Sequence, residues 1–217
     1  HGDLRGRVLD EVVEGHAETR CVERLLHRIW NEVLVAPLRL QVLPVVRGNR
    51  AGLVANGRSV LATKVREALT ALSPALRKDR AGRGLVLLLI DAEEDCAATI
   101  GPDLRTRVRA TAGNIDATCV LAVRMLENWF KAAAASLAGV NELPADLTTP
   151  DDPEAGSGDT WLKEQFKRVR RNRTYKKTTD APEFAKAMDL AECHRNSRSF
   201  RQLCKELGAR VPAPDPG

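Results

Sequence analysis

The feature that most constrains the fold is the segment GLVLLLIDAEEDC at residues 84–96. Residues 85–90 are apolar without interruption, which is typical of a short strand covered on both faces, as in a parallel sheet. The run ends at Asp91, and Glu93, Glu94 and Asp95 follow. Four carboxylates within five residues repel one another, so the sequence predicts that a positive charge lies among them.

Strand-like and helix-like segments alternate through the first two thirds of the chain. The strand patterns cover residues 7–13, 38–46, 85–90 and 118–123, and helical spacing covers 17–34, 58–72, 103–112 and 125–138. This alternation predicts an α/β fold of the Rossmann-like kind, with a mostly parallel sheet flanked by helices.

The last third of the chain has a different composition. Proline and glycine are frequent between residues 139 and 159, and three short helices are expected at 160–171, 182–190 and 197–207. We therefore expect an α/β domain over residues 4–139, a linker or lid over 140–159, and a small helical extension over 160–210 that packs on the core.

Composition excludes several classes of protein. No apolar run approaches the roughly 18 residues that a membrane span needs. The five cysteines are scattered without a Cys-x-x-Cys pair, which favours reduced thiols and a cytoplasmic location over disulfides or a zinc site. The chain has no Walker A motif, so any ATP chemistry must come from another protein.

Positive charge is concentrated in the segment FKRVRRNRTYKK at residues 166–177, which we call the basic segment. It predicts a phosphate-binding surface for DNA or RNA, with Tyr175 available to stack on a base. A solvated helix face is the alternative. The predicted nucleic-acid contacts are Lys167, Arg168, Arg170, Arg171, Arg173, Lys176 and Lys177, together with Arg198 further along.

Acidic residues follow three of the predicted strands, at the positions where an open parallel sheet binds ligands. They predict a site for Mg²⁺ or Mn²⁺, since such ions prefer oxygen ligands. The predicted ligands are Glu14, Asp91, Glu93, Asp95 and Glu127. Arg47 and Arg50 are expected at the same rim of the sheet. The alternatives are a loop cap for Asp91, a solvated turn for 93–95, a helix-terminal acid for Glu14 and an ion pair with Arg124 for Glu127.

The pair of segments VVEGHAE and LLLIDAEED resembles the Toprim fold of topoisomerases, bacterial primases and nucleases of the overcoming-lysogenization-defect type. That fold has Glu-Gly after its first strand and Asp-x-Asp after its third. Here Glu14-Gly15 matches the first element, and Asp91-Ala92-Glu93 matches the second with Glu in place of the second Asp. The resemblance implies that Glu14, Asp91 and Glu93 are catalytic.

Two further segments, VLAVRMLENWFKAAAASLAG and MDLAECHRNSRSFRQL, resemble a bacterial family of Toprim-like proteins that is often encoded beside ATPases in phage-defence loci. The resemblance implies Mg²⁺-dependent cleavage of DNA or RNA by a toxic effector with an ATPase partner. The alternatives are a non-catalytic binding or regulatory subunit of an ATPase complex and, more remotely, a phosphatase or nucleotide hydrolase. Formation of a homo-oligomer is left open.

Overall fold

The computed structural model of the protein describes residues 7–13, 19–44, 46–55, 60–78 and 83–211. Its strands form one sheet in the order β2-β1-β4-β5, with β3 also beside β1, and every pairing is parallel. The strands are β1 Arg7–Val13, β2 Leu40–Val42, β3 Val46–Arg47, β4 Arg83–Asp91 and β5 Asp116–Ala122. The predicted α/β fold with a mostly parallel sheet is confirmed.

Helices cover both faces of this sheet. They are α1 Thr19–Arg28, α2 Arg50–Val54, α3 Val60–Lys78, α4 Ala97–Ala112, α5 Glu127–Ala132, α6 Gly158–Val169, α7 Lys177–Ala187, α8 Leu190–Asn196 and α9 Arg198–Gly208. One face packs against α3 and α4, and the other packs against α1, α5 and the carboxyl-terminal helices in a single core. No helix among the described residues is long and apolar enough to cross a lipid bilayer.

Several element boundaries differ from the sequence-based expectations. The single strand expected over 38–46 is two short strands, because Pro44 has no amide hydrogen to donate to a ladder. The helix expected over 125–138 ends at Ala132 and is followed by a 3₁₀ turn, Ala135–Leu137. Helix α8 was not expected at all.

The register of the sheet brings the ends of three strands to one rim. Val12 of β1 pairs with Leu88 of β4, and Asp91 at the end of β4 pairs with Ala122 at the end of β5. Because the strands are parallel, the carboxyl ends of β1, β4 and β5 lie on the same side of the sheet, which we call the carboxyl rim.

The opposite end of the sheet is joined to the end of the chain. Arg7 of β1 donates a hydrogen bond of 2.7 Å from Nη2 to the carbonyl oxygen of Arg210, just after α9. Arg210 in turn lies 2.9 Å from the carboxylate of Asp116, the first residue of β5. The first strand, the last helix and β5 are therefore tied together by one arginine pair and one carboxylate.

Candidate functional site at the carboxyl rim

Asp91 joins the end of β4 to the start of α5. Its Oδ1 accepts a hydrogen bond of 2.8 Å from the backbone amide of Leu126, the residue before α5. A carboxylate is favoured at a helix amino terminus, where amide groups lack partners within the helix. The predicted capping role of Asp91 therefore has a direct geometric basis, and the side chain lies at the carboxyl rim.

The positive charge predicted among the acids of residues 91–95, which we call the acid turn, is Arg50. This residue begins α2, and its side chain is only 14% exposed. Nε and Nη2 donate to the carbonyl oxygens of Asp91 and Ala92 at 3.0 and 2.8 Å. The guanidinium also pairs with the carboxylates of Glu93, at 3.3 Å, and Asp95. One cation thus holds two carbonyls and two carboxylates of the turn.

The carboxylates of the acid turn interact with different neighbouring segments. Glu93 has φ of +51°, an uncommon conformation for a residue with a side chain. Its amide donates to the carbonyl oxygen of Arg124 at 2.7 Å, and the Arg124 side chain pairs with Glu94. The carboxylate of Asp91 thus accepts a hydrogen bond at the start of α5, whereas those of Glu93 and Asp95 form ion pairs with Arg50. Asp91 and Glu93 are close along the turn, but they engage different partners.

Glu127, the first residue of α5, is buried. Its Oε1 accepts a hydrogen bond from the hydroxyl of Tyr175 at 3.2 Å and lies 3.2 Å from Nζ of Lys177. The ion pair with Arg124 that spacing allowed is not formed, because Arg124 faces Glu94. Burial, and next the charge of Glu127, raises the pKa of Tyr175. Tyr175 packs parallel to Phe184 in the core, so the prediction that it stacks on a base is wrong for this structure.

Some cations of the basic segment face the interior, and others are exposed. Arg173 lies over the Phe166 ring and binds Asp180, and Lys177 reaches Glu127, so these two cations face inward. Arg168 pairs with Asp146, and Arg170 lies 3.9 Å from Glu142, both at the surface. The exposed cations of the predicted set are Lys167, Arg168, Arg170, Arg171, Lys176 and Arg198.

A second arrangement of polar groups was not foreseen. The buried Glu154 accepts hydrogen bonds from the Ser197 hydroxyl, the Ser199 amide and Nε of Arg198, at 2.9, 3.0 and 2.9 Å. The Ser199 hydroxyl also accepts a hydrogen bond from Nε1 of Trp129. Arg198 is therefore anchored at one side while its side chain remains 78% exposed. No local sequence signal links Glu154 to residues more than 40 positions away.

The predicted metal site stays a prediction. In residues 7–13, 19–44, 46–55, 60–78 and 83–211, no group of three or more His, Cys, Asp or Glu side chains could hold a metal ion. Of the predicted ligands, Glu93 and Asp95 pair with Arg50, Glu127 pairs with Lys177, and Asp91 accepts from the Leu126 amide. Glu14 lies outside the described residues, so its convergence with Asp91 also stays a prediction.

Comparison with known proteins gives one match. Residues 13–208 match the model of a family described as a domain of unknown function, DUF4276. No curated protein and no solved structure matches the chain. Because the match spans most of the sequence and includes every predicted site residue, the chain belongs to the DUF4276 family.

Proposed function

We propose that this protein is a metal-dependent phosphodiesterase of Toprim-like organisation that cleaves DNA or RNA. The observation that carries the proposal is the contact between Lys177 and Glu127, with 3.2 Å between Nζ and Oε1. Through it, the basic segment ends at the carboxyl rim, where Asp91 also lies. A surface suited to phosphate therefore adjoins the place where an open parallel sheet binds ligands.

In this proposal each part of the surface has a distinct role. The exposed cations Lys167, Arg168, Arg170, Arg171 and Lys176 bind the phosphate backbone, while Arg173 shapes the segment from inside. Asp91 and Glu14 are the principal acids of the rim. Glu93, Asp95 and Glu127 can serve as metal ligands only after exchanging the protein cations that hold them.

Mg²⁺ or Mn²⁺ is the proposed cofactor. Mg²⁺ is commonly bound by one or two carboxylates together with substrate phosphates, rather than by a complete protein cage. The satisfied acids of the rim are compatible with an ion that arrives with nucleic acid. An ATPase partner and a role in phage defence extend the same proposal. The chain has no Walker A motif, so ATP hydrolysis in such a complex would come from the partner.

The second candidate is a non-catalytic binding or regulatory subunit of an ATPase complex. It is favoured by one specific observation: Asp91, Glu93, Glu94, Asp95 and Glu127 each have a donor or cation from this protein. Such a rim is well suited to hold loops in place, and a loop scaffold needs no metal.

A cleavage assay distinguishes the two candidates. The purified protein is incubated with plasmid, single-stranded DNA and transfer RNA, with Mg²⁺, with Mn²⁺ and with chelator. We expect metal-dependent cleavage that falls at least 100-fold in Asp91→Asn and in Glu14→Gln. Glu67→Gln, which removes only a surface pair with Lys64 on α3, is the matched control and should retain activity.

Absence of cleavage under every condition, together with stable binding of an ATPase encoded beside the gene, would favour the regulatory subunit. Cleavage that persists in Asp91→Asn at the wild-type rate would contradict the role of the carboxyl rim.

A further inference from the structure

The central strand β1 contains two adjacent carboxylates that the carboxyl rim does not use. Asp10 and Glu11 are both 0% exposed, and none of their four carboxylate oxygens has a hydrogen-bond partner. Buried carboxylates are almost always paired or hydrogen-bonded, because removing an ionised group from water is very costly. These two residues therefore require a physical account of their own.

Asp10 lies on the face of the sheet that packs against α3. On that face β1 contributes Val8 and Val12, and α3 contributes apolar side chains such as Val65 and Ala68. The charged residues of α3 do not reach Asp10: Lys64 pairs with Glu67 at the surface, and Arg66 is exposed. The adjacent β4 residue, Val86, is apolar.

Glu11 projects to the opposite face, because side chains alternate along a strand. Its partner in β4 is Leu87, and its neighbours on that face of β1 are Leu9 and Val13. The charged groups that act on it are the carboxylates of Glu23, on α1, and of Asp10. Both are negative, so its described surroundings oppose a charge on Glu11.

The pairing of the outer edge of the sheet changes at these two residues. We call β2 and β3 the outer strands: β2 pairs with residues 7–9 of β1, and β3 pairs with Val12 and Val13. The amide of Leu43 still donates to the carbonyl of Leu9, but Pro44 has no amide hydrogen. Among the described residues, Asp10 and Glu11 thus pair with β4 on one side and with no residue of β2 or β3 on the other.

We propose that Asp10 and Glu11 form a proton-controlled switch in the outer edge of the sheet, closed when both carboxyls are protonated and opened by ionisation. An ionised carboxylate needs water, and the least costly route to water is detachment of the outer strands, which have only three and two residues. The much longer β4 and the helices over it stay in place. The switch requires neither a metal nor the proposed phosphodiesterase activity.

The titration behaviour of the two groups is consistent with this geometry. Burial raises the pKa of Asp10 to about 7. Burial, and then the charges of Glu23 and Asp10, raises the pKa of Glu11 well above its ordinary value. Asp10 is therefore the group expected to lose its proton first as pH rises through neutrality.

Hydrogen exchange at residue resolution tests the switch. Protection factors of the amides in residues 40–47, corrected for the intrinsic effect of pH, are compared between pH 6 and pH 8. For a group that titrates at about pH 7, we expect protection to fall about tenfold over this range, while Cys119 and Val120 in β5 remain the more strongly protected at both pH values. Asp10→Asn with Glu11→Gln should abolish the change.

Two further variants keep the result interpretable. Asp10→Leu with Glu11→Met removes the ionisable groups without burying new amides, and should also abolish the pH dependence. Glu192→Gln changes a buried acid that already has amide and hydroxyl donors, and should leave the wild-type response intact. Protection independent of pH in the wild type, an unchanged response in both double variants, or equal protection of residues 40–47 and of β5 at pH 8 would overturn the proposal.

Discussion

Buried carboxylates occur in two regions of the molecule under opposite conditions. In β1, Asp10 and Glu11 are enclosed by apolar side chains and have no donors. In the carboxyl-terminal helices, Asp180 and Glu154 are as deeply buried but receive hydrogen bonds from arginine side chains and backbone amides. Burial is thus similar in both regions, whereas the supply of hydrogen-bond donors is opposite.

The pKa values of Glu154 and Asp10 shift in opposite directions. Burial is the largest influence on Glu154 and raises its pKa, but hydrogen bonds from Ser199, Arg198 and Ser197 together lower the net pKa below the ordinary value. Burial raises the pKa of Asp10 to about 7, and the nearby backbone of Glu11 opposes that rise only weakly, because it lies outside hydrogen-bond geometry. The donors around Glu154 thus favour its charged form, whereas the surroundings of Asp10 favour its neutral form.

The largest effect expected from this comparison is that of Asp180→Ala. Asp180 accepts hydrogen bonds from Asn141, from the backbone amide of Lys176 and from two nitrogens of Arg173. Its loss leaves the guanidinium of Arg173 without its buried partner, so we expect the free energy of unfolding to fall by about 3–5 kcal/mol. Urea denaturation measures this change.

The matched control for Asp180→Ala is Asp146→Ala. Asp146 pairs with Arg168 at the surface, where an ion pair contributes roughly 0–1 kcal/mol. Equal losses of stability in the two variants would show that donors in the helical layer do not distinguish its buried acids from surface ones.

The next effect is the dependence of global stability on pH. The folded-state pKa of Asp10 exceeds its unfolded value of 3.8, so its contribution is complete below that value and is lost as pH rises towards about 7. At about 1.4 kcal/mol per pKa unit, the loss can reach about 4 kcal/mol. Asp10→Asn should therefore flatten the decline of stability between pH 4 and pH 7, as measured by urea denaturation.

Glu206 affects the dependence of stability on pH in the opposite direction. Burial raises its pKa, but hydrogen bonding to Thr118, the charge of Arg105 and the contacts of Arg210 give a net lowering below 4.5. Its contribution is present above pH 4.5 and is lost as pH falls below that value. Glu206→Gln should reduce the loss of stability below pH 4.5 and leave the decline that Asp10 causes between pH 4 and pH 7 unchanged. A variant in which both pH dependences became weaker would contradict this separation.

The smallest effect concerns the half-exposed acids of the acid turn. Arg50 holds four acceptors and is mostly buried, so Arg50→Met should lower stability by about 1–3 kcal/mol. Arg124→Met removes an exposed pair with Glu94 and should cost less than about 1 kcal/mol. Thermal unfolding of the two variants side by side measures the difference. A larger loss for Arg124→Met would reverse our assignment of Arg50 as the main counter-ion.

The sequence was sufficient for the features that depend on local pattern. The apolar run at 85–90 identified β4, the repulsion within 91–95 predicted a cation, and Arg50 was expected at the correct rim. The outer strands were misjudged because a single apolar pattern continues through Pro44. Helix α8 was missed because its seven residues are too few to show a clear helical period.

The partners of the site residues could not be predicted in this way. Tyr175 and Lys177 reach Glu127 from about 50 residues away, after the chain has turned through α6. Similarly, the acids at positions 10 and 11 are evident in the sequence, but their place between the pairings of β2 and β3 depends on how those strands align with β1. Such relations are set by tertiary packing, which leaves no periodic signal.

The arginine pair that joins β1 to the segment after α9 has a consequence for biosynthesis. Arg7 leaves the ribosome 203 residues before its partner Arg210. Until then, the amino-terminal end of β1 and the start of β5 lack their shared clamp. A nascent chain can therefore assemble most of the sheet during translation, but it can form the contact between Arg7 and Arg210 only after synthesis has passed residue 210.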